Sequence, residues 1–312
     1  MEKLVFMFDG QGAFKPGVGR ALCEKYTQAK NVVTKSSDVL GYDLTTYLWG
    51  EKANDTSGKT SIAQPAISTL SLAYADVLKD IATTADVSLG HSLGEVTAIV
   101  YCGIVSFEDG MRIIQKRGEL MEKSGKEGTM TAIIKIDLEK LEKECERVTQ
   151  EISEPVVVAN INAPEQIVIS GSQEGIKRIA QFAVENGGRG IPLRVGGAWH
   201  SPYLKNTSKE FAQFLDTITF HNSTIKFYSV VEQKFLGDGN TVRESLKQQM
   251  LSQVHWVMAI ENLKDMGYRA FLEIGPSKIL KDLATKIDPN IKTESTGLYT
   301  DLAELAKIYR RS

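Results

Sequence analysis

The sequence holds only four histidines and three cysteines in 312 residues, and it lacks both a long apolar run and any dense cluster of one charge sign. Three cysteines, Cys23, Cys102 and Cys145, are an odd number without metal-ligand spacing, which argues against a disulfide framework and a zinc site and fits a reducing compartment. A formal net charge of −2 creates no field that would gather nucleic acid or hold an acidic membrane surface. The opening apolar stretch is interrupted by Asp9, too soon for a signal peptide, and nothing approaches membrane-spanning length. A cytoplasmic protein is expected, without nucleic-acid or membrane partners. Repeats and low-complexity tracts are also missing. With 42% hydrophobic residues the chain can bury one large domain and a smaller one.

Against these absences stands Gly90-His91-Ser92-Leu93-Gly94-Glu95, a G-x-S-x-G pattern in suitable surroundings. Residues 85–89 read as a buried strand end, and residues 95–102 as a helix stopped by Gly103. In a strand-turn-helix the two glycines let the backbone turn sharply and hold the Ser92 hydroxyl out near the positive end of a helix dipole. Backbone N–H groups there, Leu93 among them, can stabilise an oxyanion. The plainer alternative is a glycine-serine turn without chemistry.

The rest of the chain organises around this point. Residues 4–8 predict a buried strand opening into the Asp9-Gly10-Gln11-Gly12 loop, a place where α/β folds often bind small molecules. Residues 128–196 alternate differently. Strands are predicted at 130–136, 156–159, 166–170 and 190–195, with helical spacing in Leu138, Leu141, Cys145 and Val148 and again in Ile176, Ile179, Ala183 and Val184. That β-α-β-β-α-β order predicts a ferredoxin-like insert between two parts of the larger domain, which resumes with strands near 225–231 and 270–275.

A serine nucleophile needs a base, most often histidine. His91 would be carried away from the hydroxyl by the turn, and His221 and His255 lie in no motif. His200 closes Gly196-Gly197-Ala198-Trp199-His200-Ser201-Pro202, a loop of small residues that permits close backbone approach, and is the best-suited candidate. Arg117 sits in a helical stretch after the elbow helix. It reads either as a solvated surface residue or as a planar fork for a substrate carboxylate, and spacing does not decide between them.

Taken together, the chain resembles the malonyl-CoA:acyl-carrier-protein transacylase family, which includes the acyltransferases of fatty-acid and polyketide synthases. The resemblance rests on Gly10-Gln11-Gly12, Gln64-Pro65-Ala66, Gly90 to Glu95, Arg117-Gly118-x-Leu-Met121, Asn160-x-Asn162-Ala-Pro164, Gly197-Ala-Trp-His200, Gln249 and Glu273-Ile-Gly-Pro276, all in the family's order. It implies an α/β fold: an α/β-hydrolase-like large domain from 1–127 and 197–312, with a ferredoxin-like small domain at 128–196. It implies Ser92 as nucleophile, His200 as base oriented by the backbone carbonyl of Gln249, and backbone N–H groups of Gln11 and Leu93 as the oxyanion hole. Arg117 would pair with a malonyl-type carboxylate, with Met121 and Trp199 also in contact with substrate. No bound cofactor is implied. The donor would be an acyl-CoA or acyl-carrier-protein thioester, the partner an acyl carrier protein, and the enzyme a monomer.

The sequence departs from its relatives in two places that bear on substrate. Most have Pro-Gly-Gln-Gly-Ser-Gln where this chain has Asp9 to Phe14, and malonyl enzymes of polyketide synthesis commonly have Phe where this chain has Trp199. Asp9 and Trp199 therefore suggest either a pocket for a polar extender, such as aminomalonyl or hydroxymalonyl delivered from a carrier protein, or an Asp turned to solvent and a Trp that only fills the volume of Phe. The altered loops favour a stand-alone enzyme serving a polyketide synthase. Two rivals are an acyl hydrolase that clears carrier-bound acyl groups, disfavoured by Arg117, and a docking module without catalysis, disfavoured by Ser92 and His200.

Overall fold

A computed structural model describes residues 3–56 and 59–309, so the outermost positions of the expected domains, 1, 2 and 310–312, lie outside it. The first apolar run forms β1 (Leu4–Phe8), buried along its whole length. After it come α1 (Thr27–Leu40) and the long α2 (Thr60–Asp80). The elbow follows as β2 (Val87–Gly90) and α3 (Leu93–Tyr101), with Ser92 between them. Next is α4 (Phe107–Lys123), whose first turn is capped by the Ser106 hydroxyl accepting from the Asp109 N–H.

The alternating region then builds its own sheet from β3 (Gly128–Ile134), α5 (Leu138–Ile152), β4 (Val156–Ala163), β5 (Gln166–Ser172), α6 (Gln173–Glu185) and β6 (Arg189–Pro192). Its strand order is β4-β5-β3-β6, and all its pairings are antiparallel. Leu141, Cys145 and Val148 of α5, with Ile176, Ile179 and Ala183 of α6, pack on Ile133, Ile167 and Ile169, so the helical spacing in the sequence marks the buried face. Two strands end earlier than their apolar runs. β3 stops where Lys135 takes a φ of 64°, and the β6 ladder stops at Pro192, beyond which the chain leaves the sheet.

The remainder runs through α7 (Lys205–Leu215), β7 (Lys226–Ser229), β8 (Lys234–Leu236), α8 (Gly239–Gln248), α9 (Trp256–Asp265), β9 (Ala270–Ile274), α10 (Ile279–Ile287) and β10 (Lys292–Ser295). These strands join β1 and β2 in a six-stranded sheet of order β10-β9-β1-β2-β7-β8, parallel except for the β7–β8 hairpin. The central strands are covered on both faces and read as continuous apolar runs. β8 and β10 escape sequence reading because both are short: β8 has three residues, and β10 is polar along its length. No helix among the described residues is long and apolar enough to cross a membrane.

Parallel pairing of β9, β1 and β2 brings three strand ends to one edge of the sheet: the loops after Phe8, Gly90 and Ile274 emerge together. The elbow is then pressed against β1 with no room for side chains. A Cβ on Gly94 would fall 1.9 Å from the Phe8 carbonyl oxygen, and one on Gly90 would fall 2.0 Å from the Gly94 carbonyl carbon. Gly94→Ala should therefore force backbone apart and cost about 3 kcal/mol or more. The check is the denaturant midpoint of unfolding, which should fall far more than for an alanine placed at an exposed helical site.

Candidate active site

Ser92 sits at the junction of β2 and α3 with φ 52° and ψ −102°, a backbone region that non-glycine residues rarely occupy. The surrounding contacts hold it there, and the side chain projects from the turn. Its Oγ lies 2.7 Å from His200 Nε2 and 3.1 Å from Arg117 Nη2. The hydroxyl thus has a basic ring nitrogen on one side and a guanidinium donor on the other, although the three residues are far apart in sequence.

His200 also has a left-handed backbone, φ 55°, in the loop that follows the small sheet. Its Nδ1 is 2.9 Å from the Ser252 carbonyl oxygen. Since a carbonyl only accepts, Nδ1 carries the hydrogen and Nε2 presents a lone pair to Ser92. Ser252 thus supplies a hydrogen-bonding oxygen that the sequence did not mark, and the backbone of Gln249, the residue expected in the orienting role, acts on the same ring in the same direction. Burial, reinforced by the Arg117 charge, pushes the His200 imidazole down to about 3, so the ring is neutral at ordinary pH.

Gln249 also acts through its side chain, a role the sequence did not predict. Its side-chain oxygen accepts from Arg117 Nε at 3.2 Å and Nη2 at 3.0 Å, while its amide nitrogen donates to the Ser92 carbonyl at 2.7 Å and to Glu95 Oε2 at 3.0 Å. Arg117 is 1% exposed, which removes the reading of it as a solvated surface residue. Burial lowers its guanidinium to about 10 and Glu95 opposes that shift, so it stays charged at neutral pH. Glu95 is itself buried, with Oε1 accepting from the Ser229 hydroxyl and the Val230 N–H, both at 2.9 Å. Burial raises its carboxyl and these donors oppose the rise. A chain of buried polar groups runs from Glu95 through Gln249 to Arg117 and the Ser92 hydroxyl.

These groups face a cavity of about 860 Å³ between the large sheet's strand ends and the small sheet, lined by Gln11, Ser92, Trp199 and His200 on one side and Met130, Asn160 and Leu193 on the other. Leu93 begins α3 and Gln11 begins a 3-10 turn, so both N–H groups lack an acceptor within their own turn. Among the described residues, no group of three or more His, Cys, Asp or Glu could hold a metal ion.

An acyl transferase domain model matches residues 5–292, and a malonyl CoA-acyl carrier protein transacylase of Bacillus subtilis is 35% identical over 94% of this chain and 93% of its own. The chain belongs to the acyl transferase domain family. A Synechocystis protein of the same name is 32% identical over 97% of this chain and all of its own. Among solved structures, a Vibrio cholerae acyl carrier protein S-malonyltransferase superposes with a TM-score of 0.91 at 30% identity, covering 98% of this chain and 99% of that one. A malonyl-transacylase in complex with a type II polyketide-synthase acyl carrier protein superposes at 0.93 with 27% identity, covering 99% and 100%. The mixed α/β fold is that of these transferases.

Of three further expected pocket residues of this acyltransferase, Trp199 and Asp9 are among the residues that line the cavity and Met121 is not. Met121 is buried behind the cavity wall, where its sulfur accepts from Gln64 Nε2 at 3.4 Å. Trp199 does line the cavity, yet its indole N–H is buried without an acceptor among the described residues. Asp9 neither points to solvent nor offers a free carboxylate, because it is 1% exposed and bonded to Ser277, with Glu273 against it. The basis for a polar extender at Asp9 therefore falls away.

Of the other histidines, His91 is turned from Ser92 and bonds Asn162 at 2.7 Å, His221 is exposed, and His255 caps α9. Sequence reasoning missed Ser252, which no motif marks, and the link from Glu95 to Arg117, although Glu95 closes the elbow motif and was legible as a residue.

A histidine held neutral gives a clear pH signature. An unperturbed imidazole protonates between about pH 7 and 6, and the base would be lost there. In this acyltransferase, phosphonylation of Ser92 by a neutral fluorophosphonate should stay flat across that interval and fall only at lower pH. The measurement is the second-order inactivation rate against pH, with Ser92→Ala as the blank.

Proposed function

We infer that the protein moves a malonyl group from coenzyme A to the phosphopantetheine thiol of an acyl carrier protein, through an acyl ester on Ser92. The observation that carries this reading is Arg117: a buried guanidinium that touches the nucleophile's hydroxyl and is bonded to an amide oxygen, with no carboxylate in direct contact among the described residues. Such a cation suits the free carboxylate of a malonyl group, which it can grip with two parallel N–H donors. The names of the Bacillus and Synechocystis relatives, and the solved complex of a malonyl-transacylase with its carrier protein, support the same substrates.

In the first half-reaction Ser92 Oγ attacks the thioester carbonyl as its proton passes to His200 Nε2. The developing oxyanion meets the N–H groups of Leu93 and Gln11, and His200 returns the proton to the departing thiolate of coenzyme A. In the second half-reaction the carrier's thiol gives its proton to His200 and attacks the ester, and Ser92 leaves with a proton from His200. Ser252 keeps the ring in the tautomer that both halves need.

Arg117 adds an acid–base reason for selectivity. Its charge is one cause of the low basicity of His200, so a malonyl carboxylate that pairs with Arg117 offsets this charge and raises the base as the substrate docks. An acetyl group leaves the charge uncompensated. The β4-β5-β3-β6 order, with its two covering helices, supports reading residues 128–196 as a ferredoxin-like domain inserted into an α/β-hydrolase-like one. That insert would form one wall over the acyl group.

Ser92→Ala should leave no adduct mass after exposure to malonyl-CoA, because the ester has no attachment point. Arg117→Ala should lower kcat/KM for malonyl transfer by roughly 10- to 150-fold, the scale of a lost charge-assisted hydrogen bond, while acetyl transfer survives or rises. Equal losses with both donors, or release of the adduct to water in preference to the carrier thiol, would overturn the malonyl-transfer reading.

A further inference from the structure

Two buried carboxyl groups lie against each other at the strand ends beside the elbow, and the mechanism uses neither. Asp9 follows β1 and Glu273 lies in the adjacent β9, and they are 1% and 0% exposed. One hydroxyl sits between them. Ser277 Oγ is 2.6 Å from Glu273 Oε1 and 3.1 Å from Asp9 Oδ1, and it accepts the Ile279 N–H at 3.2 Å. A serine hydroxyl has a single hydrogen, and the shorter contact assigns it to Glu273. The remaining oxygens are each met by a backbone donor: Asp9 Oδ2 by the Ser277 N–H at 3.2 Å, and Glu273 Oε2 by the Lys281 N–H at 2.7 Å.

With that hydrogen committed to Glu273, the 3.1 Å contact between Asp9 Oδ1 and Ser277 Oγ is a hydrogen bond when the Asp9 carboxyl itself carries a proton to donate. Two ionised carboxylates in contact in a dry site repel too strongly for both to persist. Burial first, and then the charge of Glu273, hold the Asp9 carboxyl well above the usual carboxylate range. Tyr74 of α2 faces it from the helix layer, with its own hydroxyl raised by burial. None of the groups that act on Asp9 is a cation.

We propose that Asp9 is a positioning residue: its carboxyl, bonded to the Ser277 N–H and hydroxyl and through that hydroxyl to Glu273, pins the Asp9–Gln11 loop to the turn that leads into α10. The fold makes room for this contact. Gly275, at φ 154°, has no side chain where the carboxyl lies, and a Cβ there would fall 2.2 Å from Asp9 Oδ2. On its other side the loop's backbone carries Gln11, and the Asp9 carbonyl oxygen sits where a Cβ on Gly94 would meet it at 2.8 Å. Fixing Asp9 thereby sets where the Gln11 N–H stands relative to Ser92. This step rests on the reading of Gln11 as an oxyanion donor.

The test uses full-length wild type, Asp9→Asn and Asp9→Ala. The first measurement needs no substrate: thermal unfolding midpoint against pH. A carboxyl whose folded-state value is raised makes its full contribution below its unfolded value and loses it as pH climbs towards the folded value. The wild-type midpoint should therefore fall relative to Asp9→Asn between about pH 5 and 8, since the amide cannot ionise. Parallel profiles for the two proteins would overturn the protonated Asp9 carboxyl and the contact to Ser277 that depends on it.

The second measurement is single-turnover acylation of Ser92 by malonyl-CoA and acetyl-CoA. Asp9→Ala should slow both by the same factor, on the order of tenfold, because a displaced oxyanion donor costs less than the 10²–10³ of a missing one. Asp9→Asn should restore most of the rate, since its amide can still bond the Ser277 N–H and hydroxyl. A loss confined to malonyl would overturn the positioning role and place Asp9 on the substrate. If wild type formed no malonyl adduct at all, the transferase reading would fail while the pH arm still decided the proton. Should Asp9→Ala not fold, the Asp9→Asn comparison decides the proposal by itself.

Discussion

The site depends on a steric constraint: two backbones meet at the elbow with nothing between them. Gly94 lies so close to β1 that a methyl group would overlap the Phe8 carbonyl, and Gly90 lies as close to Gly94. This contact fixes the start of α3 against the ends of β1 and β2, and Ser92 must take a strained φ to connect them. The strain is retained because the residues on both sides are buried in the central sheet and its covering helix. Its result is a hydroxyl directed away from the helix it precedes and into the cavity.

Electrostatics act on that fixed point. A guanidinium in a dry site is unfavourable unless something compensates it. Here the compensation is indirect, since Glu95 reaches Arg117 through the Gln249 amide and leaves the guanidinium free of a carboxylate in direct contact. A direct ion pair would have occupied the fork. The same burial keeps His200 neutral, so imidazole and cation coexist around one hydroxyl with no carboxylate in direct contact with either among the described residues.

The small sheet contributes more than a wall to this arrangement. The Val254 N–H donates to the Ala159 carbonyl at 2.9 Å, the Ile161 N–H donates back to the Val254 carbonyl at 2.9 Å, and Gln253 Nε2 reaches the Val158 carbonyl at 3.0 Å. Residues 252–254 are thereby anchored to the β4 strand, and their Ser252 carbonyl orients His200. The tautomer of the His200 ring is set by a segment tied to the four-stranded sheet. That coupling explains how a histidine can be oriented without the carboxylate of a triad.

Local chemistry was what the sequence determined unaided. Glycine spacing around Ser92, the loop ahead of His200, the apolar run of β1 and the two amphipathic helices of the insert each follow from neighbouring residues, and each stands in the structure close to where the pattern places it. The edge strand β10 was not legible, because Lys292–Ser295 is short and carries no apolar run. Only tertiary structure could decide the long-range partners. Ser252, Gln249 and Glu95 are separated by up to 157 positions, Ser252 and Gln249 lie in a segment with little local signature, and any of several carbonyls could have faced His200. Asp9 shows the same limit most plainly: its type suggested solvent or substrate, whereas parallel pairing of β1 with β9 set it against another buried carboxyl. Side-chain type sets what a residue can bond, but strand order sets which groups are near enough for it to do so.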